Sequence, residues 1–332
     1  RIGRVHARNL ATQIPEVELV AVVDIFAEAA QKLAAEWQVP AVYTDHRPVM
    51  EDRTIDAVVI CTSTDTHAQL IQEAAAAGKH IFCEKPIDLD LARIDRVLAA
   101  VEEAGVKFQV GFNRRFDPSM RRAKEIVAAG KIGTPHIVRI TSRDPAPPPI
   151  EYIKVSGGIF LDMTIHDFDM ARYLIGDEVE EIYATGGVMV DPAIGEAGDL
   201  DTTVITLRYK SGALGTIDNS RQAVYGYDQR VEVFGAEGMV LVTNKTPDTA
   251  IISDAQGIHS AKPLYFFVER YTEAYIEEMR AFVKAILEDE LPPVTGIDGR
   301  IPVVMAYAAR KSAQENRPVR LSEVDITAGD LP

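Results

Sequence analysis

The sequence has little of what a zinc-binding or disulfide-bonded protein needs. Only 2 of its 332 residues are cysteine. Cys61 and Cys83 lie in apolar, strand-like segments, and neither shows the CxxC or Cys/His spacing of a zinc site. An unpaired cysteine in such a segment behaves as a small hydrophobic residue. We therefore expect two reduced thiols and no bound metal.

The sequence also lacks an excess of basic residues and a long apolar run. Its 50 acidic and 35 basic side chains give a formal net charge of −15, which argues against nucleic acid or an anionic membrane as partner. Apolar runs such as residues 56–61 have the length of a strand and are too short to cross a bilayer. The first residues do not resemble a secretory signal, so we expect a cytoplasmic protein with a small-molecule ligand.

A composition of 47% hydrophobic and 26% charged residues is typical of a globular protein, and the length leaves room for two domains. Up to about residue 112, short β-rich runs alternate with helical patterns, which predicts βα units and a doubly wound parallel sheet in an α/β domain over residues 1–112. The predicted strands are 17–24, 41–43, 56–61, 80–83 and 107–112, and the predicted helices lie near 26–37, 66–77 and 90–104.

Beyond residue 112 the pattern changes to strands joined by tight turns, after one helix near 118–129. Turns at 210–212 and 235–238 separate segments with period-two alternation, which predicts an antiparallel sheet with one covered face. Residues 113–332 are therefore predicted to form an α+β domain with a large, mostly antiparallel open sheet. Further predictions are strands at 202–209, 215–218 and 230–234, helices at 268–288 and 299–314, and a proline-rich surface loop at 144–149.

The start of the chain resembles the end of a dinucleotide-binding fingerprint. That fingerprint consists of a strand, G-x-G-x-x-G and a helix, with an acidic residue about 20 positions further on. Here only Arg1-Ile2-Gly3 and a helix over about 6–14 remain, and Asp24 stands at the position of the acid. Gly3 alone is more typical of a helix-entry glycine, and Asp24 at the expected offset is what favours the fingerprint. We expect the first strand to precede residue 1, so that the chain is a fragment of a longer native one.

Two motifs carry a family resemblance. Glu84-Lys85-Pro86 follows a predicted strand, and Gly157-Gly-Ile-Phe-Leu-Asp-Met-Thr-Ile-His-Asp-Phe-Asp169 comes much later. Together they resemble the glucose-fructose oxidoreductase and inositol dehydrogenase family (Gfo/Idh/MocA), and the resemblance covers nearly the whole chain, including residues 62–67 and 312–321. Segments 156–172 and 221–227 look most like its inositol 2-dehydrogenase members.

The resemblance implies NAD-dependent oxidation of a cyclic polyol, with myo-inositol converted to 2-keto-myo-inositol (scyllo-inosose). The same chemistry on scyllo-inositol, chiro-inositol or glucose stays open, as does a non-catalytic NAD-binding sensor. A third alternative is an enzyme that never releases tightly held NADP. Asp24 argues against NADP because no basic residue follows it to neutralise a 2′-phosphate. The uncovered sheet face and the resemblance together predict a homo-oligomer, specifically a tetramer.

Three residues are the candidate catalytic set. Asp162 and His166 are four positions apart on a predicted helix and would share one face. His166 suits a general base near neutral pH. Lys85 ends a predicted parallel strand, and the resemblance implies that it contacts the nicotinamide ribose and the reacting hydroxyl, where its charge would stabilise an alkoxide. Asp162 would bind substrate hydroxyls and orient His166. From the residues alone, a solvated Asp/His pair or a core histidine is the alternative.

The remaining candidates depend more on position than on motif. Thr66 could equally be a helix N-cap. Asn113, Arg114 and Arg115 could bind polyol hydroxyls or tie the domains together, and the two tyrosines could pack at a sheet edge. The candidate cofactor-binding residues are Arg1, Ile2, Gly3, Asp24, Thr62, Thr64, His67, Glu84 and Lys85, and the candidate substrate-binding residues are Lys85, Asn113, Arg115, Asp162, His166, Tyr225 and Tyr227.

Overall fold

The structure, a computed structural model, describes residues 1–325, so the last seven residues of the predicted second domain lie outside it. The chain divides into two compact units. The first contains Arg1–Phe116 and Glu273–Arg300, and the second contains Asp117–Thr272 and the residues from Ile301 onward. Residues 273–300 therefore belong to the first unit, whereas the sequence analysis placed them in the second domain.

The first unit alternates short strands with helices, as predicted. Its elements are α1 (Ile2–Gln13), β1 (Ala21–Val23), α2 (Ala27–Trp37), β2 (Ala41–Tyr43), α3 (Arg47–Glu51), β3 (Ala57–Ile60), α4 (Thr64–Ala76), β4 (His80–Glu84), α5 (Leu91–Ala104) and β5 (Phe108–Gly111). β1 and β2 pair in parallel, and β3, β4 and β5 form a second parallel sheet in that order.

The second unit contains most of the remaining elements. They are α6 (Pro118–Ala128), β6 (Pro135–Arg143), α7 (Ile150–Ile153), α8 (Gly158–Asp162), α9 (Ile165–Ile175), β7 (Val179–Gly187), α10 (Pro192–Glu196), β8 (Thr202–Tyr209), β9 (Leu214–Ser220), β10 (Asp228–Gly235), β11 (Gly238–Val242), β12 (Ile251–Asp254), β13 (Gly257–Ser260) and α11 (Phe267–Arg270). The chain then continues with α12 (Thr272–Leu287), α13 (Gly296–Glu315) and β14 (Val319–Arg320).

A seven-stranded sheet dominates the second unit, with the strand order β11-β10-β6-β9-β8-β7-β14. All neighbouring pairs are antiparallel except β6 and β9, which confirms the prediction of a large, mostly antiparallel sheet. Side chains of β8 alternate between buried and exposed along the strand. The predicted turns at 210–212 and 235–238 connect β8 to β9 and β10 to β11.

The core of the first unit explains why residues from the far end of the chain join it. Leu10 of α1 and Ile14, directly after α1, pack with Phe82 of β4 and with Met279 and Phe282 of α12 in one buried cluster. The apolar face of α12 thus covers this part of the unit. Burying such side chains stabilises a fold by about 1.5–3 kcal/mol each.

Helix α13 begins at Gly296, ahead of the predicted start at residue 299. A reciprocal cap explains this start: the backbone N–H of Thr295 donates to Asp298 Oδ2 at 2.9 Å, and the backbone N–H of Asp298 is 3.4 Å from Thr295 Oγ1. Within residues 1–325, none of the helices combines the length and the apolar content needed to cross a membrane.

Candidate active site

The segment that carries Asp162 and His166 is broken, which corrects the prediction of one continuous helix. Asp162 is the last residue of α8, and His166 is the second residue of α9. The two side chains therefore come from the ends of two helices, and the expectation of a shared helix face does not hold. The backbone N–H of His166 donates to the carbonyl of Met163 at 3.3 Å, which is a turn across the break.

A buried amide on the large sheet holds this break in place. The Thr164 hydroxyl donates to Asn219 Oδ1 at 2.6 Å, and Asn219 Nδ2 donates to Asp167 Oδ2 at 2.8 Å. Thr164, Asp167 and Asn219 are all buried. Buried polar groups must be hydrogen-bonded to avoid a large desolvation cost, so the β9 amide fixes the chain on both sides of His166.

The Asp162 carboxylate is held from two directions. The Tyr152 hydroxyl donates to Oδ1 at 2.8 Å, and Arg221 Nη1 donates to Oδ2 at 2.9 Å. Arg221 is only 1% exposed. Burial by itself would lower its pKa, but the charges of Asp162, Asp144 and Asp199 raise it. An ionised carboxylate beside a guanidinium is an acceptor of hydrogen bonds, which suits Asp162 to binding hydroxyl groups.

Steric constraints explain why position 158, at the start of α8, is a glycine. Its φ is +82°, and a Cβ at this position would lie 2.7 Å from Asp199 Oδ1. That same Asp199 oxygen accepts the backbone N–H of Ile159 at 3.0 Å. Glycine therefore allows the helix start to approach the carboxylate closely, in a conformation that other residues rarely adopt.

The two candidate tyrosines differ in their surroundings. The Tyr225 hydroxyl donates to Asp228 Oδ2 at 2.5 Å and accepts from Arg143 Nη1 at 3.2 Å, and the side chain is partly exposed. Burial, and then Asp228, raise the pKa of Tyr225. Tyr227 is buried, and its ring meets that of Tyr271 edge to face at 6.1 Å. Its surroundings match the packing alternative, whereas Tyr225 presents its hydroxyl near the surface.

In the first unit, candidate residues lie where parallel strands end. Asp24 follows β1, Thr62 follows β3, and Glu84 is the last residue of β4, directly before Lys85. Ligands of open α/β sheets bind at the carboxyl ends of the strands, so this placement suits a cofactor site. Thr64 is the first residue of α4, which has Ser63 as its N-cap. The alternative of Thr66 as N-cap is therefore wrong.

His67 does not have the surroundings expected for a residue that faces a dinucleotide. Its side chain is buried in α4. Its Nδ1 lies 2.8 Å from the carbonyl oxygen of Pro86, and its Nε2 lies 3.2 Å from that of Thr62. The imidazole thus links the two loops that follow β3 and β4. These contacts hold His67 against the Glu84-Lys85-Pro86 turn.

The residues at the start of the chain are compatible with an NAD site. Arg1 precedes α1, and Ile2 and Gly3 form its first turn, where free backbone N–H groups favour an anionic group such as a pyrophosphate. A Cβ on Gly3 would lie 3.4 Å from Cys61 Cβ, so the helix approaches the end of β3 closely. One oxygen of Asp24 accepts the backbone N–H of Phe26 at 2.9 Å, which holds the carboxylate at the end of β1.

Asn113 and Arg115 lie in a short 3₁₀ turn after β5. Asn113 is buried, and Arg115 Nη2 donates to Asp298 Oδ1 at 2.9 Å. Burial opposes ionisation of Asp298, but Arg115 and the hydrogen bonds from Thr295 lower its pKa. Both partners belong to the first unit, so this ion pair stabilises that unit internally.

Among the candidate catalytic residues, Lys85 belongs to the first unit, and Asp162 and His166 belong to the second. Sequence reasoning missed the contacts of Tyr152, Asn219 and Arg221. Asn219 had a readable signal, since it occupies an inward position of an alternating strand where a polar side chain needs a partner. Arg221 lies in a segment that carried the family resemblance, but its hydrogen bond to Asp162 depends on the fold.

Comparison with known proteins identifies both parts of the chain. Residues 1–112 match an oxidoreductase family with an NAD-binding Rossmann fold, and residues 120–241 match the GFO/IDH/MocA C-terminal domain. The chain is 51% identical over 324 residues to the myo-inositol 2-dehydrogenase of Thermotoga maritima, covering 98% of this chain and 97% of that protein. It is 46% identical to the inositol 2-dehydrogenase of Rhizobium meliloti, covering 97% of each.

A solved structure agrees. The scyllo-inositol dehydrogenase of Lactobacillus casei, determined with bound NAD(H) and scyllo-inositol, superposes with a TM-score of 0.91 at 32% identity, covering 97% of this chain and 96% of that one. The match extends over both domains, so it is not a similarity of the nucleotide-binding fold alone. This chain belongs to the Gfo/Idh/MocA family of NAD-binding oxidoreductases.

Proposed function

We propose that this protein catalyses the NAD-dependent oxidation of a secondary alcohol of a cyclic polyol, converting myo-inositol to 2-keto-myo-inositol (scyllo-inosose). The observation that carries the proposal is the 51% identity to a myo-inositol 2-dehydrogenase over 98% of the chain. The geometry around Asp162 supports it, because a fixed carboxylate suits a substrate with many hydroxyl groups.

In the proposed mechanism, three residues have separate chemical roles. His166 removes the proton of the reacting hydroxyl as hydride leaves the same carbon. The Lys85 ammonium stabilises the developing alkoxide, an effect of about 3–4 kcal/mol by analogy with donors in oxyanion holes. Asp162, held by Tyr152 and Arg221, accepts hydrogen bonds from the neighbouring substrate hydroxyls and orients the ring.

When bound, the nicotinamide ring of NAD accepts the hydride. Asp24 binds the ribose hydroxyls of the adenosine half, and the start of α1 with Arg1, Ile2 and Gly3 binds the pyrophosphate. Thr62, Thr64, Glu84 and Lys85 border the rest of the cofactor. We assign these tasks to residues 1–112 and substrate binding and oligomerisation to the following domain.

The experiment that tests the proposal is to measure absorbance at the NADH band with NAD or NADP and myo-, scyllo- and chiro-inositol and glucose as substrates. We expect NADH formation with NAD and myo-inositol. Turnover only with another polyol would keep the reaction but overturn the substrate. Binding of NAD without turnover of any polyol would contradict the enzyme and support a sensor.

The proposal includes a homo-oligomer, specifically a tetramer. One face of the large sheet carries an exposed apolar corner, formed by Leu214, Phe234, Met239 and Leu241, with the partly buried Ile137 beside them. An apolar patch rimmed by polar side chains is typical of an interface between subunits. A second copy of the chain is therefore the proposed partner.

The proposed location of the protein is the cytoplasm. Its two free thiols support this location, because thiols stay reduced in that compartment.

A further inference from the structure

Three titratable side chains meet inside the first unit, at the strand that leads to Lys85. They are His6 of α1, Glu84 of β4 and Glu278 of α12, and their ligating atoms all lie within 4.8 Å of one another. His6 Nε2 is 2.7 Å from Glu84 Oε1 and 3.9 Å from Glu278 Oε1. The side chains of His6 and Glu278 are 1% and 0% exposed, and that of Glu84 is 13% exposed.

The surroundings of the cluster are apolar. The His6 ring meets Phe82 at 5.1 Å and Tyr275 at 5.7 Å, both edge to face. Both carboxyl oxygens of Glu278 are buried, and neither has a hydrogen-bond donor within the described residues. An ionised carboxylate in such a place would lack both water and a partner, which costs many kcal/mol. Burial, and then the charge of Glu84, raise the pKa of Glu278 well above its usual range.

The imidazole of His6 has a preferred proton position. Its Nδ1 is buried and has no hydrogen-bond partner among residues 1–325, so a proton on Nδ1 would leave a donor unsatisfied. The proton therefore belongs on Nε2, which donates to Glu84 Oε1.

The distances favour this arrangement over a bound divalent cation. Two ligand atoms that each lie about 2.0–2.2 Å from one metal ion at tetrahedral angles are more than 3 Å apart. The 2.7 Å between His6 Nε2 and Glu84 Oε1 is instead the length of a hydrogen bond. A histidine that binds a metal also donates its other ring N–H to a partner, and His6 Nδ1 has none in the described part of the chain.

The position of Glu84 connects the cluster to the proposed catalytic lysine. Glu84 directly precedes Lys85, and Gly111 of the adjacent strand β5 leaves room for its side chain. A Cβ on Gly111 would lie 3.0 Å from Glu84 Oε2. Gln109, also in β5, donates to the main-chain carbonyl of Glu278 at 2.8 Å. The contacts around Glu84, the residue before Lys85, thus connect four elements: strands β4 and β5 and helices α1 and α12.

We propose that Glu278 is a positioning residue that acts as a neutral carboxylic acid: as a polar but uncharged neighbour it leaves the hydrogen bond between His6 and Glu84 undisturbed, and with it the turn that carries Lys85. The part of this inference that concerns turnover rests on the proposed function. The part that concerns the charge of Glu278 does not. The two parts are therefore tested by separate measurements.

The kinetic test compares Glu278→Gln, a neutral mimic, with Glu278→Met, which removes the polar group at similar length. We expect Glu278→Gln to keep kcat within about threefold and Glu278→Met to lower kcat about tenfold or more, because small misplacements of catalytic groups slow the chemical step. KM for NAD should stay within about twofold in both variants. Glu277→Gln, next to Glu278 but only partly buried and paired with Arg280, is the matched control.

The spectroscopic test needs neither turnover nor the methionine variant. The infrared spectrum of the wild-type protein should contain the C=O band of a buried protonated carboxyl group, and Glu278→Gln should lack that band while Glu277→Gln keeps it. This result would support the inference even if no polyol were oxidised, in which case only the proposed function would fail.

Three outcomes would overturn the inference. The first is a wild-type spectrum without the protonated-carboxyl band, which would make Glu278 charged. The second is a stoichiometric divalent metal in the purified protein that Glu278→Gln removes. The third is wild-type kcat in both Glu278 variants, which would leave the cluster without influence on Lys85.

Discussion

At the residue scale, the charge of a side chain depends on the donors that the fold places around it. Asp228 is buried and accepts hydrogen bonds from Tyr225, Arg230 and Asn244. Burial raises the pKa of Asp228, but these donors outweigh it and lower the pKa below its ordinary 3.8. Glu278 shows the opposite case, since burial without a donor raises its pKa. The pKa values of these two buried carboxyl groups are thus shifted in opposite directions.

Replacing Asp228 by asparagine should remove an acid-dependent part of the stability. Because the pKa of Asp228 is lowered on folding, its contribution is present above about pH 4 and lost as the pH falls through the folded value. We expect the free energy of unfolding of Asp228→Asn to be about 1–3 kcal/mol lower than that of the wild type at pH 7. At pH 3 the difference in this free energy should be smaller. Urea unfolding at the two pH values measures this.

The exposed Asp254 provides the control for this experiment, because Asp254→Asn should leave the acid dependence as it is in the wild type. Parallel stability curves for the wild type and Asp228→Asn across the pH range would show that Asp228 contributes no lowered pKa.

Replacing His166 by alanine tests the proposed general base. We expect kcat to fall about 10²- to 10⁴-fold because proton removal from the hydroxyl loses its acceptor. The affinity for NAD, measured by fluorescence titration, should change little. His259→Ala, on the exposed strand β13, should behave as wild type. Turnover close to wild type in His166→Ala would contradict the assigned role.

At the scale of elements, the break between α8 and α9 shows how a distant strand sets local geometry. Local pattern favours one helix across 158–172, since it contains several good helix formers. Instead, the hydrogen bonds from Thr164 to Asn219 and from Asn219 to Asp167 hold the chain in the broken conformation. The ends of both helices, with Asp162 and His166, are thereby placed by β9.

Replacing Asn219 by alanine should therefore displace Asp162 and His166, although Asn219 is not itself a candidate catalytic residue. Thr164 loses its acceptor and Asp167 loses a donor, which should lower the free energy of unfolding by about 2–4 kcal/mol. We expect kcat to fall while the affinity for NAD is retained, because the cofactor residues belong to the other unit. Thermal unfolding and steady-state kinetics measure both effects.

Thr216→Ala is the matched control, since Thr216 lies on the same strand with its side chain exposed. If Asn219→Ala kept both the wild-type stability and the wild-type kcat, the sheet would have no role in placing His166.

At the scale of the whole molecule, the exposed apolar corner of the large sheet is the proposed interface between copies of the chain. The double variant Phe234→Glu/Leu241→Glu places two charges on this surface. We expect it to lower the assembled mass, measured by analytical ultracentrifugation, because charges are costly to bury at an interface. Leu291→Glu, an exposed leucine of the first unit, is the control. An unchanged assembly in the double variant would place the interface elsewhere.

The family and most of the elements could be predicted from the sequence. Period-two alternation predicted β8, β9 and β10, and turn residues predicted both hairpins. These signals are local, because the polarity of each residue follows the exposure of its own side chain. The positions of Asp24, Thr62, Glu84 and Lys85 after strands followed from the same reading, since a strand's carboxyl end is visible in the sequence.

Only the tertiary structure decided which remote groups meet. It assigned residues 273–300 to the first unit, buried His67 against Pro86 and placed Arg221 on Asp162. It also put Glu278 beside Glu84, far away in the sequence, and buried it, which raises the pKa of Glu278. Periodicity tells which face of an element is covered, but the partner that covers it depends on chain topology. The roles of polar side chains follow from those partners.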